Sequence, residues 1–288
     1  MNSLPMIELI DRFIGSLKSQ NRSEFTLIAY KKDLQQFISF LSSKEKIDFR
    51  EVIKDDIDAF LNKLLQEKYT RKSASRKLNS IRTFFRYLKS EGAISQNPSL
   101  DVLHPKYSLV PPRILSEMEY RALRDATKDD PRTYALVEIL LQTGIKIGEL
   151  VNLRLEDLKD SSLYIRDYGK NLSREVPLNN AAKKSITQYL KTREKITNST
   201  DHLFITRTGK PILIRNVRQV IMRYFDEVGI DDATINDLRN TFITHQLLNG
   251  ASLEYIAKIV GHRRISSTER YLSLIKDNNI KKEKLGEL

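Results

Sequence analysis

Apolar residues return every three to four positions over most of this chain, the repeat that lines one face of an α-helix. Tyr30, Leu34, Phe37, Ile38 and Leu41 make one such stripe, Ile57, Phe60, Leu61, Leu64 and Leu65 a second, and Leu78, Ile81, Phe84, Phe85 and Leu88 a third. Asp55-Asp56 precede the second, as suits a helix start, and the third runs out at Glu91-Gly92, where glycine supplies a stop. With a further helix from Met6 to Ser16, the segment from Met6 to Leu103 is expected to be a small bundle of four helices.

The repeat then breaks. His104-Pro105-Lys106 through Val110-Pro111-Pro112 shows no periodicity, and its prolines push the preceding residues out of the helical region. Residues 105–114 are therefore expected to connect a helical domain, 1–104, to a second domain, 115–288. Helical patterning resumes at Ser116, with Glu119 three residues on to complete a capping box, and Leu136, Ile139, Leu140 and Leu141 form an apolar face ahead of Thr143-Gly144. Between Leu163 and Leu178 the period falls to two. Leu163–Arg166 and Arg174–Leu178 read as the strands of a hairpin turning at Tyr168–Asn171, and His202-Leu203-Phe204-Ile205 as a third strand followed by a turn at Thr208-Gly209-Lys210. From Arg215 onward the pattern is helical again, so the expected fold class is mostly α with a small β-sheet.

Composition narrows the chemistry. A hydrophobic content of 40% supports a core in each domain. The longest apolar run, Ala135 to Leu141, is broken by Glu138 and is far shorter than the ~20 residues that span a bilayer. The opening MNSLPMIELIDRF puts acidic residues where a secretion signal needs an unbroken apolar stretch, so a cytoplasmic location and no membrane partner are expected. Zero cysteines exclude disulfides, thiolate zinc sites and cysteine nucleophiles, and the histidines at 104, 202, 245 and 262 form no clustered metal motif; neither metal nor cofactor is expected. A formal charge of +12 points to a polyanion. Lys68 to Lys89 contains no acid and interleaves its cations with aromatics. Such a run is often only a solvated helix face, but one sign of charge on an amphipathic helix also suits a surface that tracks phosphates. Arg76, Lys77, Arg82 and Arg86 are its candidate DNA-binding residues.

The run LRNTFITHQLLNGASLEYIAKIVGHRRISSTERYLSL closely resembles the active-site end of the tyrosine recombinases, the Xer and phage-integrase family. FIGSLKSQNRSEFTLIAYKKDLQQFISFL and LNSIRTFFRYLKSEGAISQNPSL resemble the N-terminal core-binding domain of its Xer-type members, so the resemblance spans essentially the whole chain. It implies a helical core-binding domain and a catalytic domain with a C-terminal tail helix, closing on DNA as a C-shaped clamp. It also implies a site-specific recombinase that cuts and rejoins duplex DNA through a 3′-phosphotyrosyl intermediate, frees a 5′-hydroxyl and uses no cofactor. The implied partners are duplex DNA, further copies of the chain in a tetrameric synapse, and a second recombinase. On this resemblance Tyr271 matches the nucleophile and His262 the histidine that hydrogen-bonds the scissile phosphate. Arg239 matches the second arginine, and Lys170 the hairpin lysine that protonates the leaving oxygen.

In-line attack at phosphorus heaps negative charge on the equatorial oxygens, so fixed cationic donors must surround it. Two catalytic positions depart from the family here. In Thr143-Gly144-Ile145-Lys146-Ile147-Gly148-Glu149-Leu150 a lysine, Lys146, stands where the first arginine is usual, and Asn236 stands where histidine or lysine is usual. Lysine keeps the charge and loses the bidentate fork, while an amide carries neither charge nor a transferable proton. Asn240, where histidine is common, is a third and lesser difference. One such donor is worth ~10²–10³ in rate. Two readings therefore stand: a recombinase with weakened chemistry, and a catalytically impaired recombinase-like DNA-binding protein. A topoisomerase of the related tyrosine class and a basic RNA-binding protein are more distant rivals. Chromosome partition by dimer resolution, element integration and phase variation would all use this architecture.

Overall fold

The computed structural model describes residues 5–108, 110–167, 172–196 and 200–275. The chain divides into two compact units, Met1–Leu109 and Val110–Leu288.

The first unit is built from α1 (Met6–Ser19), α2 (Glu24–Ser42), α3 (Lys54–Gln66) and α4 (Arg71–Ser90). Local chemistry sets their ends: the Ser23 and Thr70 hydroxyls accept from the backbone N–H groups of Thr26 and Ser73, and Asp56 reaches back to the Ile53 N–H at 3.0 Å. Gly92, at φ 70°, follows α4 in the left-handed conformation that its sequence position predicted. The apolar stripes meet in a core where Phe13, Phe37, Phe49, Phe60, Phe84 and Phe85 pack edge-on, ring centroids 4.9–6.3 Å apart. At the rim of this core the buried Asp33 accepts from Arg76 Nη2 and Lys77 Nζ at 2.9 Å each and from Ser80 Oγ at 2.8 Å. Burial pushes that carboxyl up, but the three donors outweigh burial and hold it below the ordinary range. Arg82 straps the following segment onto α4, donating to the Ser99 carbonyl at 3.1 Å and to His104 Nε2 at 2.8 Å. Because a guanidinium only donates, Nε2 must accept, which leaves the imidazole proton on Nδ1 for Ser75 Oγ at 2.9 Å.

In the second unit, α5 (Glu117–Ala126), α6 (Pro131–Thr143) and α7 (Ile147–Val151) precede a hairpin of β1 (Ser162–Ile165) and β2 (Arg174–Pro177). Then follow α8 (Asn180–Arg193), α9 (Ile214–Glu227), α10 (Ile235–Leu248), α11 (Leu253–Val260) and the short α12 (Ser266–Glu269). α6 is the central element, packed against α5, α7, α8, α9 and α10 and buried on every side. Even Glu138 within it is inaccessible, paired with Arg124, which is how an acid survives inside an apolar run. The Ser116–Glu119 capping box forms as expected. The hairpin is antiparallel, with Leu163 opposite Val176 and Ile165 opposite Arg174.

The third strand does not form. His202 to Ile205 makes only isolated bridges, Arg154 with His202 and Ile205 with Pro211. Its backbone groups are committed elsewhere: Arg193 takes the His202 and Leu203 carbonyls, Leu203 N–H binds the Leu153 carbonyl, and Ile205 N–H binds the Tyr189 hydroxyl. An apolar run of strand composition is thereby held by two side chains and by scattered backbone contacts, and no ladder grows from it. Among the described residues no helix is long and apolar enough to cross a membrane, and no group of three or more His, Cys, Asp or Glu is placed to hold a metal.

Candidate active site

Four segments of the second unit converge through two arginines. α6 ends at Gly144, whose φ of 60° suits glycine, and the ring of Phe242 from α10 lies where a side chain would stand. The turn this permits presents the Gly144 carbonyl to Arg239 Nη1, while Arg239 Nη2 donates to the Val260 carbonyl at 2.7 Å. Arg239 thus ties the Thr143–Lys146 turn to the end of α11, just before Gly261-His262. Two of its five N–H groups are fixed on backbone, which orients the planar fork.

Arg174 is the second tie. From β2 its Nη1 and Nη2 grip the two oxygens of Glu149 at 3.1 and 2.8 Å, and its Nε donates to the Ile259 carbonyl. Glu149 Oε2 also reaches back to the Lys146 backbone N–H at 2.9 Å, starting α7. The pair is buried on both sides, and a Cβ on Gly261, at φ 68°, would fall 2.9 Å from the Arg174 guanidinium. Two guanidinium groups therefore cap the carbonyl end of α11, where the helix dipole favours positive charge.

The electrostatics are lopsided. Burial, then the charges of Arg239, Lys146, Arg270 and Arg174, depress His262 to about 4, so its imidazole is neutral at physiological pH. Arg239 is lowered to about 10 by burial, partly offset by Glu149. Lys146 is also lowered, by burial first and by Arg239 and Arg174 besides, with Glu149 opposing. His262 Nδ1 lies 2.8 Å from the buried Thr268 hydroxyl. Tyr271 follows α12, only 3% exposed, and its hydroxyl donates to Asn240 Oδ1 at 2.7 Å. Burial raises the phenol above its ordinary value, Arg270 and Arg239 pull it back, and Asp237 adds to the rise. The Arg270 guanidinium sits 5.2 Å from the ring centre.

Of the candidates, Arg239, His262, Lys146 and Tyr271 thus share one neighbourhood. Asn236 stands exposed in the first turn of α10, three residues before Arg239 and so on its face of the helix. Lys170 lies outside the described residues. In the first unit Arg76 and Arg86 are exposed, but two expectations need correcting. Lys77 is 5% exposed and held by Asp33, and Arg82 is committed to backbone carbonyls and His104, so neither is displayed to a phosphate. Glu149, Arg174, Thr268 and the contact through Asn240 were not assigned roles from the sequence. Arg174 carried a signal: it shares strand parity with the buried Val176, and an inward arginine demands a partner.

Comparison with known proteins gives the family and the fold. Residues 113–277 match the phage integrase family, and residues 10–92 match the phage integrase N-terminal SAM-like domain. The chain is 31% identical over 291 residues to tyrosine recombinase XerC of Oceanobacillus iheyensis, covering 96% of this chain and 94% of that protein. It is 34% identical over 275 residues to tyrosine recombinase XerC of Staphylococcus haemolyticus, covering 92% of each. Its fold is similar to the lambda integrase tetramer bound to a Holliday junction, with a TM-score of 0.78 at 20% identity, over 94% of this chain and 78% of that one. The chain therefore belongs to the phage integrase family, the tyrosine recombinases.

Proposed function

We propose that this protein is a site-specific DNA recombinase that cuts and rejoins duplex DNA through a phosphotyrosyl intermediate at Tyr271. The observation that carries the reading is that the end of α11 gathers the oriented Arg239 guanidinium, the neutral His262 and the buried Tyr271 hydroxyl into one neighbourhood with Lys146 and Arg174. Cations that depress one another favour an added anion beside them. A backbone phosphate supplies that charge, and supplies more of it in the five-coordinate transition state. Arg239 and Lys146 then face the non-bridging oxygens and His262 donates a hydrogen bond. The Tyr271 oxygen bonds to phosphorus as the bond to the 5′-oxygen breaks; Lys170 protonates that oxygen, and the phenol proton passes to water. Strand exchange is the reverse reaction on a partner duplex.

The partners this implies are duplex DNA and further copies of the chain in a tetrameric synapse, with a second recombinase as an additional participant. A cytoplasmic location fits the same reading, and chromosome partition is one of the roles it accommodates, beside element integration and phase variation. Lys146 and Asn236 favour one competing reading, a clamp that binds and does not cut. Covalent trapping decides between the two. A nicked suicide duplex carrying a site selected from a random pool is expected to give an adduct that Tyr271→Phe abolishes. No adduct from the wild type, nor from Lys146→Arg with Asn236→His, would leave the non-catalytic clamp.

A further inference from the structure

The hydroxyl that is to attack phosphorus is engaged in this structure. Asn240 Nδ2 donates to the Arg113 carbonyl and to Asp237 Oδ1, each at 3.0 Å. Both partners are acceptors, so the amide cannot be turned round without setting oxygen against oxygen. Its Oδ1 must therefore face Tyr271, and the phenol must be the donor in their 2.7 Å hydrogen bond. The anchor is firm. Leu115 N–H binds the Thr241 hydroxyl at 2.8 Å, so residues 113–115 strap the two adjacent positions of α10, and Arg113 is itself held by Glu119 and the Asp231 carbonyl.

An amide oxygen can hold a phenol proton and cannot take it away. While the bond persists the phenol stays neutral, and with the side chain 3% exposed its oxygen is shielded from any phosphate. A histidine at this position could accept the proton; this chain has asparagine. We propose that Asn240 acts as a clasp on Tyr271, restraining the nucleophile in the DNA-free protein until bound DNA draws its hydroxyl away. The proposal rests on the reading of Tyr271 as the nucleophile. The charged groups around the phenol are Arg270, Arg239 and Asp237; Asn240→Ala leaves all three in the chain, and Asp237, which loses the Asn240 donor, keeps Thr234 as a partner.

The test uses the full chain labelled with 13C at tyrosine Cζ, the Tyr271 resonance being assigned by its loss in Tyr271→Phe. In Asn240→Ala the Tyr271 titration is expected to move to lower pH, because an acceptor that favours the protonated phenol is gone. Adduct formation in a single turnover on the suicide duplex is expected to be roughly threefold to tenfold faster. An unmoved titration, or slower cleavage with the fold intact by circular dichroism, overturns the clasp. Should Asn240→Ala not fold, the wild type decides. Saturating duplex must shift its Tyr271 resonance, and an unshifted resonance with DNA bound overturns the proposal equally. A wild type that never forms a Tyr271-dependent adduct removes the recombinase reading instead, and the titration still judges the clasp.

Discussion

Lys146 and His262 show how single residues set the working range of the site. At Lys146 a compact ammonium replaces a planar fork in a spot already crowded by Arg239 and Arg174. Lys146→Arg restores bidentate geometry toward two phosphate oxygens and is expected to raise the single-turnover cleavage rate about tenfold or more, read from adduct formation. An unchanged rate would mean that Lys146 already supplies all the stabilisation this position offers. His262 gives a pH dependence whose sign is fixed. Its folded value, about 4, lies below the unfolded reference of ~6.5, so on acidification the unfolded chain takes up the proton first. Stability is therefore expected to be whole above pH ~6.5 and to decline as pH falls toward about 4. His262→Gln should flatten that part of the Tm-against-pH curve. A phosphate seated beside the imidazole reverses the bias, so DNA binding near pH 6 is expected to take up protons. Calorimetry in two buffers of different ionisation enthalpy measures this, and His262→Gln should abolish the uptake.

Among the elements, α7, β2 and α11 depend on one another through Arg174, which pairs with Glu149, donates to the Ile259 carbonyl and lies against Gly261. Glu149→Gln leaves a buried guanidinium without its counter-charge in a region already rich in cations. A loss of ~3–5 kcal/mol is expected from denaturant titration, in line with breaking a buried pair from one side. Gly261→Ala should also destabilise, since it combines a left-handed backbone with a clash against Arg174. What the sequence disclosed at this level followed from whether a pattern is local. The apolar stripes of α2, α3 and α4, the Ser116 capping box and the β1–β2 hairpin all depend on neighbours a few residues away, and all were legible. His202–Ile205 was misread because the groups that capture its backbone, Arg193 and Tyr189, come from a separate helix. Tyr271, His262 and Arg239 were singled out by resemblance at characteristic spacings, and the fold brings them into one neighbourhood. Arg174 and Glu149 escaped, although Glu149 sits inside a motif already singled out and Arg174 shares strand parity with Val176, because periodicity does not name the partner in a pair joining α7 to β2 across 25 positions.

At the scale of the whole molecule, the charge of +12 marks affinity for a polyanion without saying which lysines and arginines supply it. The Lys68–Lys89 run illustrates the difficulty, since residues of one sign on one helix have opposite duties. Lys77 neutralises the buried Asp33, Arg82 braces the segment that follows α4, and Arg86 stands in solvent. A cation that meets a DNA phosphate releases condensed counterions, and each such contact contributes about 0.9 to the slope of log affinity against log salt concentration. Arg86→Ala is accordingly expected to weaken binding to all duplexes alike, to lower that slope by about one, and to leave Tm nearly unchanged. Lys77→Ala is expected to do the reverse. It strips a buried carboxylate of one partner, so the first unit should lose stability by roughly 1–3 kcal/mol, while the salt slope measured well below Tm stays where it was. Fluorescence anisotropy at four salt concentrations, paired with thermal melts of both variants, separates the two duties. Equal slopes for Arg86→Ala and the wild type would place the DNA-facing charge of this unit on other residues of the run.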